Sequence, residues 1–349
     1  MPQSTKGVQI KGGILFVLFL AFLPISPSAE EKVTLFTNGV EIQFGALTQI
    51  WGTVPFGMER RFAGRSEFSI RRSQLKFLGK TEGEKIGWEL MIDPVARYLL
   101  QDAHIDLYYI PRLKFQAGQF KFPLSMENLT PDGELDFIER AVVVRAFADR
   151  RDIGAMLSGK YTAIEWQAGA FNGSLLNDFK DLVGRFVLKP VGGFQLGASG
   201  YWGKEYYGNF IKRQSNFDII HLGGEIKIDY RNVGIRSEAI WEREDVPLII
   251  YFNGSQREVI QHFYSWGGYF STLYNLSKKH QLGTRLEVFD PVANSNFTRD
   301  YNFVITFGYT FFFAPYTKFQ VNLQSNVTQV YLQENRDKYF VLTNLQIGF

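Results

Sequence analysis

A two-residue period of apolar side chains near the C-terminal end restricts the fold of this chain more than any other feature. Every second residue from Phe303 to Phe313 is aromatic or aliphatic, and residues 318–324 and 339–349 repeat the pattern. Successive side chains of a β-strand point to opposite faces. The period therefore predicts strands that are apolar on one face and polar on the other.

The aromatic content narrows the kind of sheet. The chain has 33 Phe, 17 Tyr and 6 Trp, although its mean hydropathy is only −0.12. After residue 29 no apolar run is long enough to cross a bilayer as a helix. A membrane barrel explains both facts, because its strands show lipid an apolar residue at every second position. A soluble β-sandwich gives no reason for the aromatic excess or for an aromatic strand that finishes at Phe349. We therefore predict an all-β fold, a transmembrane antiparallel β-barrel.

Residues 1–29 are expected to be a signal peptide. Lys6 and Lys11 precede the short apolar run 14–23, and small residues around Ser28 offer a cleavage site. An uncleaved anchor is the alternative, although the apolar run is short for a spanning helix. The mature chain is therefore expected to leave the cytoplasm.

Short and long connections between the predicted strands alternate along the chain. The longest are residues 123–151 and 244–257. Counting strands gives about 16, an even number typical of bacterial outer-membrane barrels, whose short turns face the periplasm. We expect residues 30–43 to be a short periplasmic segment and residues 44–349 to form the barrel, in the outer membrane of a Gram-negative bacterium.

Several classes of function receive no support. The chain has no cysteine, and its four histidines are not spaced as metal ligands, so no metal, cofactor or catalytic residue is predicted. The net charge of +3 gives no support for a nucleic-acid partner. Two alternatives stay open: a barrel enzyme in which serine or aspartate meets His104 or His262, and a plugged barrel with a structural or adhesive role.

Three stretches of the chain resemble the phosphate-selective porin O and P family. They are residues 118–124 (GQFKFPL) with the FIER sequence at 137–140, residues 71–79 (RRSQLKFLG) and residues 100–106 (LQDAHID). The resemblance is specific over residues 68–173 and looser from there to the C-terminal end.

The resemblance implies a pore with a constriction. In this family the long loop after the fifth strand folds into the barrel and narrows it, and basic residues line the path of the solute. Here that loop is residues 123–151, with Lys121 before it. The candidate lining residues within it are Arg140, Arg145, Arg150 and Arg151. The resemblance also implies a homotrimer and phosphate-type anions as solutes.

The phase of the strands gives a second set of pore-lining candidates. The polar side chains expected on the lumen face are Arg72, Gln74, Lys76, Lys114, Arg236, Arg285 and Lys318. In a narrow pore, fixed cations replace part of an anion's hydration and repel cations. Neighbours of opposite charge, such as Arg236 with Glu238 and Arg285 with Glu287, are expected to pair.

The last strand is amphipathic and finishes at Phe349. It resembles the signal that the outer-membrane barrel assembly machinery recognises. We therefore predict an outer-membrane porin for passive diffusion of small hydrophilic solutes, with anions favoured. Its partners would be outer-membrane lipid and the assembly machinery, and diffusion through water needs no cofactor.

Overall fold

The computed structural model describes residues 33–37, 39–56, 66–81, 83–173, 179–206, 216–252, 255–293, 301–328 and 338–349. The predicted signal peptide lies outside these residues. The described residues form one sheet of seventeen strands. The strands are β1 Val33–Thr37, β2 Val40–Phe56, β3 Glu67–Thr81, β4 Ile86–Ile92, β5 Leu100–Leu107, β6 Leu113–Lys121, β7 Arg151–Lys160, β8 Ile164–Phe171, β9 Asp181–Leu188, β10 Phe194–Tyr206, β11 Asn216–Tyr230, β12 Val233–Phe252, β13 Ser255–Asn275, β14 His280–Asp290, β15 Asn302–Ala314, β16 Thr317–Thr328 and β17 Lys338–Gly348.

The sixteen strands β2 to β17 form a closed antiparallel barrel. Each pairs with the next along the chain. The last strand, β17, returns to β2, with Tyr339 opposite Phe56 at one end and Gly348 opposite Leu47 at the other. Closure satisfies the backbone hydrogen bonds of every strand within the sheet, as a lipid environment requires. The predicted fold is confirmed.

The first barrel strand begins earlier than the sequence predicts. It starts at Val40 rather than at residue 44, and the short strand β1 pairs antiparallel with its first residues. Gly39 joins the two with φ 74°, a left-handed conformation that glycine adopts without steric cost. The segment expected to be an irregular lead-in is therefore a hairpin.

Apolar side chains face outward and polar side chains face the lumen. On β15, Phe303 and Phe307 are exposed on the outside, whereas Thr306 and Thr310 are buried within the barrel. On β17, Leu345 is exposed and the adjacent inward positions are polar and buried. The two-residue period thus separates a lipid face from a water face.

The hairpin of β12 and β13 differs from the prediction of a loop at residues 244–257. The strands continue to Phe252 and resume at Ser255. Residues 246–252 (VPLIIYF) are mostly apolar and rich in β-formers, and an Asn-Gly pair, a strong hairpin signal, follows them. The charges at residues 242–245 obscured this pattern, because they suggested a solvated loop.

The long connection between β6 and β7 folds into the barrel, as the family resemblance implies. We call residues 122–150 the inner loop. It contains two short helices, α1 (Met126–Leu129) and α2 (Val142–Phe147), and a 3-10 turn at Asp132–Glu134. The Ser125 hydroxyl accepts the N–H of Asn128 at 3.1 Å and so caps α1. No helix in the described part of the chain is long and apolar enough to cross a bilayer.

An apolar cluster holds the inner loop against the barrel wall. Phe122, Leu124, Val143 and Val144 of the loop are fully buried. The inward-facing side chains in the same cluster are Phe120, Met156, Phe171, Val183, Tyr201, Ile219, Ile240 and Tyr269. Burying one such loop side chain contributes about 1.5–3 kcal/mol, so the loop is a packed part of the barrel. These inward positions are apolar because they meet the loop rather than water.

Candidate permeation pathway

A buried polar cluster around Asp132 fixes the inner loop to β3. Arg140 Nη1 lies 2.6 Å from Asp132 Oδ1, and Gln74 donates to Asp132 Oδ2 at 2.7 Å. Arg72 Nε lies 3.4 Å from the same Oδ2. Burial acts to raise the pKa of the Asp132 carboxyl, but the positive charges of Arg72, Lys121 and Arg140 outweigh it and hold this pKa well below its usual range. The ionised carboxylate therefore pairs with two arginines at once.

Arg140 makes most of its contacts inside the loop. Its Nε donates to the carbonyl of Glu127 at 3.2 Å and its Nη2 to the carbonyl of Thr130 at 2.9 Å. Only 1% of its side chain is exposed. Arg140 therefore organises the inner loop and presents no surface to a passing solute.

Two carboxylates of the wall receive the first N–H groups of the loop helices. Met126 and Glu127 donate their backbone N–H to the two oxygens of Glu238 on β12, at 2.9 and 2.8 Å. Val142 donates its N–H to Glu287 on β14 at 2.6 Å. The N–H groups at the start of a helix have no partner within it, and a carboxylate is their strongest acceptor.

Arg285 is the cation that pairs with two acids of this group, Glu127 and Glu287. Its Nη1 lies 3.3 Å from Glu127 Oε1 and its Nε 2.8 Å from Glu287 Oε1, so the expected pair with Glu287 is present. The other oxygen of Glu127 accepts the N–H of Ala141 at 2.8 Å. Burial raises the pKa of Glu127 to about 7; Arg285 opposes the rise and the Glu238 carboxylate adds to it. One guanidinium thus serves a cluster that carries excess negative charge.

Lys318 and Arg236 contact the inner loop at Leu135 and Asp136. Lys318 Nζ donates to the carbonyl of Leu135 at 2.6 Å and is buried. Arg236 Nε lies 3.8 Å from Asp136 Oδ2, and its Nη2 lies 2.5 Å from Asp229 Oδ1. The expected pair of Arg236 with Glu238 does not form, because Glu238 binds the loop backbone.

The lumen face from β3 to β9 also carries charged side chains that pair with one another. Lys76 Nζ lies 2.7 Å from Glu89 Oε1, and Lys114 Nζ lies 3.8 Å from Asp106 Oδ1. His104 lies between the two pairs, 3.8 Å from Glu89 and 3.3 Å from Asp106. These side chains are only partly buried, so part of their surface faces the lumen.

In most ion pairs of β3 to β9 the cation is more exposed than the acid. The Lys76 side chain is 38% exposed and Glu89 is 16% exposed, and the values for Lys114 and Asp106 are 29% and 13%. Other pairs with the same order are Arg150–Asp181, Arg151–Asp102, Lys160–Glu165, Lys189–Glu165 and Arg185–Glu225. In these pairs the cation presents a larger fraction of its side chain to water than the acid does. The order is reversed in Lys80–Glu84 and Arg72–Glu139.

A β-bulge brings a second arginine of β3 into the lumen. The pairing of β2 with β3 shifts between Gln49 and Ile50, so that Arg71 has no partner in the register. Arg71 Nη2 lies 3.0 Å from Glu139, and Arg72 Nη2 lies 3.5 Å from the same carboxylate. A strict two-residue period assigns Arg71 to the lipid face and therefore misses it. Two adjacent arginines in a lipid-spanning strand are the signal that predicts such a bulge.

The remaining arginines of the inner-loop region lie toward its C-terminal end, and Lys121 lies just before its first residue. Arg151 binds Asp102 through two hydrogen bonds of 3.0 and 3.2 Å. Arg150 lies over the rings of Phe122 and Tyr201, 4.3 and 4.7 Å from their centroids. Arg145 is exposed and donates to the carbonyl of Arg140 at 3.1 Å, and Lys121 donates to the carbonyl of Asn128 at 2.8 Å.

Phe349 lies at the seam of the barrel. Its backbone N–H and carbonyl both bond to Ala46, at 3.1 and 3.2 Å. Its exposed ring lies 5.7 Å from that of Phe44. The last residue is therefore part of the outer apolar surface.

A closed barrel of sixteen antiparallel strands, with a polar lumen that an inward-folded loop narrows, defines an outer-membrane porin. The model of one family, phosphate-selective porin O and P, matches residues 52–230, about half of the chain. The chain belongs to this family. It forms a pore in the outer membrane through which small hydrophilic solutes diffuse passively.

Solved structures share the fold. The anion-selective porin from Comamonas acidovorans has a TM-score of 0.68 at 10% identity, over 89% of this chain and 100% of that one. The outer membrane channel DcaP of Acinetobacter baumannii has a TM-score of 0.69 at 9% identity, over 90% and 99%. The trimer form of OmpT from Vibrio cholerae has a TM-score of 0.58 at 7% identity, over 89% and 100%. A comparison with curated proteins finds no match.

Proposed function

We propose that this porin favours anions, and that the cations along β3 to β9 set the preference. One observation carries the proposal: in most ion pairs of β3 to β9 the lysine or arginine is more exposed than the acid with which it pairs. A permeating ion meets the ammonium and guanidinium groups first, and these attract anions and repel cations. The anion-selective porin with the same fold supports the proposal.

The preference is expected to be weak rather than strict. Each exposed lysine of the path keeps a carboxylate within 4 Å, and that carboxylate attracts the cations that the lysine repels. The family name supports phosphate as one of the permeant anions. We infer a diffusion pore through which chloride and phosphate both pass.

Reversal potentials test the proposal. The full chain without residues 1–29 is refolded, and single channels are recorded in a planar bilayer across a KCl gradient. We expect discrete steps with a reversal potential directed toward chloride. The double variant Lys76→Gln, Lys114→Gln leaves Glu89 and Asp106 uncompensated, so its reversal potential should move toward potassium.

A matched control distinguishes the effect of the lumen lysines from that of an exposed lysine elsewhere. Lys180 is exposed and lies 3.2 Å from the Asn172 side chain, before β9 begins. Lys180→Gln should leave the reversal potential unchanged. A potassium-directed potential in the unaltered protein, or equal shifts in the double variant and the control, would overturn the proposal.

We also propose how the protein is exported, assembled and oligomerised. We infer that residues 1–29 are removed on export, that Phe349 belongs to the signal for the barrel assembly machinery, and that the protein is a homotrimer in outer-membrane lipid. The trimer form of a porin with this fold supports the last point. Mass measurement of the mature chain and electrophoresis without heating test cleavage and trimer formation.

The channel proposal also distinguishes this protein from a barrel enzyme. Carboxylates lie beside the two histidines considered from the sequence: His104 Nδ1 is 3.3 Å from Asp106, and His262 Nδ1 is 2.7 Å from Asp245. A carboxylate beside a histidine is not by itself a catalytic site, and the family and fold support a channel. Folded protein that gives no conductance steps would instead favour the enzyme or the plugged barrel.

A further inference from the structure

The turns at the end of the barrel that carries Phe349 are rich in exposed cations. Five of these cations make no ion pair in the described part of the chain, and we call them the basic rim: Lys85, Arg112, Arg231, Lys278 and Lys279. In a porin the short turns face the periplasm. The basic rim therefore lies where the barrel leaves the periplasmic leaflet.

Two arginines of the basic rim occupy unusual backbone positions. Arg112 has φ 66° and Arg231 has φ 51°, in the left-handed region that favours glycine and asparagine. A turn at either position would form more readily with one of those residues. Glu84, in another turn of this end, has φ 54° as well, so the two arginines are distinguished by their side chains rather than by their backbone.

Each of these guanidinium groups lies over a tyrosine ring. The distance to the ring centroid is 5.8 Å from Arg112 to Tyr161 and 5.2 Å from Arg231 to Tyr230. Lys85 Nζ is similarly 5.9 Å from the centroid of Tyr109. Tyrosine rings of outer-membrane barrels lie at the depth of the lipid headgroups, so these cations are held at that depth.

The turns of this end also expose apolar side chains. Ile110, Val191 and Leu276 are each more than half exposed, at 61%, 65% and 55%. A surface that combines apolar tips, tyrosine rings and unpaired cations matches a lipid layer with negative headgroups. A polysaccharide would match the cations but not the apolar tips.

We propose that the basic rim binds the phosphate headgroups of anionic phospholipids in the periplasmic leaflet. The guanidinium of Arg112 or Arg231 donates to phosphate oxygens, while the neighbouring tyrosine ring and apolar side chains contact the upper part of the acyl region. The proposal rests on the outer-membrane location and on the orientation in which the short turns face the periplasm.

Lipid binding to the folded protein tests the proposal. Native mass spectrometry of the full refolded barrel in detergent gives the affinities for dioleoyl phosphatidylglycerol and dioleoyl phosphatidylcholine. We expect a preference for phosphatidylglycerol that falls by about fivefold for each arginine removed, the factor that one basic residue contributes near an anionic surface. The variants are Arg112→Asn and Arg231→Asn, because asparagine tolerates the left-handed turn and so preserves folding.

The chain offers a matched control at the opposite end of the barrel. Arg97 lies 5.4 Å from the centroid of Tyr98, in the connection between β4 and β5. Arg97→Asn should leave the phosphatidylglycerol preference unchanged. Equal affinities for the two lipids in the unaltered protein would overturn the proposal, and so would an equal loss in the control variant. Binding to purified peptidoglycan that the two rim variants abolish, with lipid preference intact, would assign the rim to the cell wall instead.

Lipid binding by the basic rim can be tested separately from ion preference. Arg112 and Arg231 lie in turns outside the lumen pairs of β3 to β9, so their replacement should not move the reversal potential. A variant that loses lipid preference and conducts normally supports the rim proposal alone.

Discussion

At the scale of single residues, Arg140 decides the shape of the pore more than any cation that lines it. Its guanidinium joins Asp132 to two loop carbonyls and is almost completely buried. Lys76, by contrast, extends into the lumen beside one carboxylate. The two side chains carry the same charge, yet Arg140 is enclosed by the inner loop and Lys76 is partly exposed.

Replacing Arg140 is expected to release part of the inner loop. Arg140→Ala leaves Asp132 buried with fewer cations, and removing one partner of a buried ion pair costs about 3–5 kcal/mol. We expect a lower midpoint of urea unfolding and a single-channel conductance that is larger and noisier. Arg145→Ala removes an exposed arginine of the same loop and should change neither quantity; an unaltered midpoint in Arg140→Ala would contradict the role of Arg140.

Glu127 is expected to make stability depend on pH. The pKa of the Glu127 carboxyl is about 7 in the folded barrel and about 4.5 in the unfolded chain. This difference contributes stability that is fully present below pH 4.5, where the carboxyl is protonated in both states. This stabilisation is lost as the pH rises through 7, with a slope of at most about 1.4 kcal/mol per pH unit. Glu127→Gln should remove that slope from the free energy of unfolding in urea. Glu134→Gln, at an exposed site of the same loop, should keep it.

At the scale of elements, the inner loop behaves as a second layer of the wall. Its apolar side chains pack on inward positions of the strands, and the first N–H groups of α1 and α2 bind Glu238 and Glu287. The hydrogen bonds to Glu238 and Glu287 join residues that are more than a hundred positions apart in the chain. The loop can therefore take its place only in an almost complete barrel.

The two carboxylate oxygens of Glu238 are expected to be required for holding helix α1 in place. Glu238→Gln replaces one acceptor oxygen by an amide NH₂, which repels the N–H groups of Met126 and Glu127, and we expect increased open-channel noise. Tyr269→Phe removes only a hydroxyl that donates to the same carboxylate at 2.7 Å. It should leave the noise unchanged, and single-channel recording distinguishes the two variants. Equal noise in both would show that the carboxylate does not hold α1.

Local patterns were sufficient to predict most strands and the position of the inner loop. The period of two in β15 to β17 depends only on neighbouring residues, and so does the break in strand pattern at Pro123. The bulge at Arg71 was missed, because it depends on the register with β2. The length of β12 and β13 was missed, because the charges at residues 242–245 suggested a loop. The phase of a strand also shows only which face a side chain occupies. It could not distinguish Lys318, which the loop covers, from Lys114, which it leaves open.

At the scale of the whole molecule, the barrel divides its lumen into two unequal environments. The inner loop and its apolar cluster fill one part of it, and partly exposed ion pairs line another part. Stability and permeation therefore depend on different sets of residues. Variants of the second set are expected to alter ion preference without unfolding the barrel.

Ion preference is expected to depend on salt concentration. Exposed charges act over about 10 Å at 0.1 M salt but only about 3 Å at 1 M. We expect the chloride preference taken from reversal potentials to be clearly larger at a mean KCl concentration of 0.1 M than at 1 M. A preference that does not change between these concentrations would indicate selection by pore size rather than by the cations of β3 to β9.

The seam of the barrel has a consequence for how the chain can be rearranged. The strands β17 and β1 pair with the same edge of β2 and run in the same direction, with Phe349 bonded to Ala46 and Val33 opposite Phe44. Only the position opposite Gly45 separates them. A linker of about one extended residue, roughly 3.3 Å in rise, would join residue 349 to residue 33 as one continuous strand. Circular permutants that begin in any of the short turns should therefore close into the same barrel.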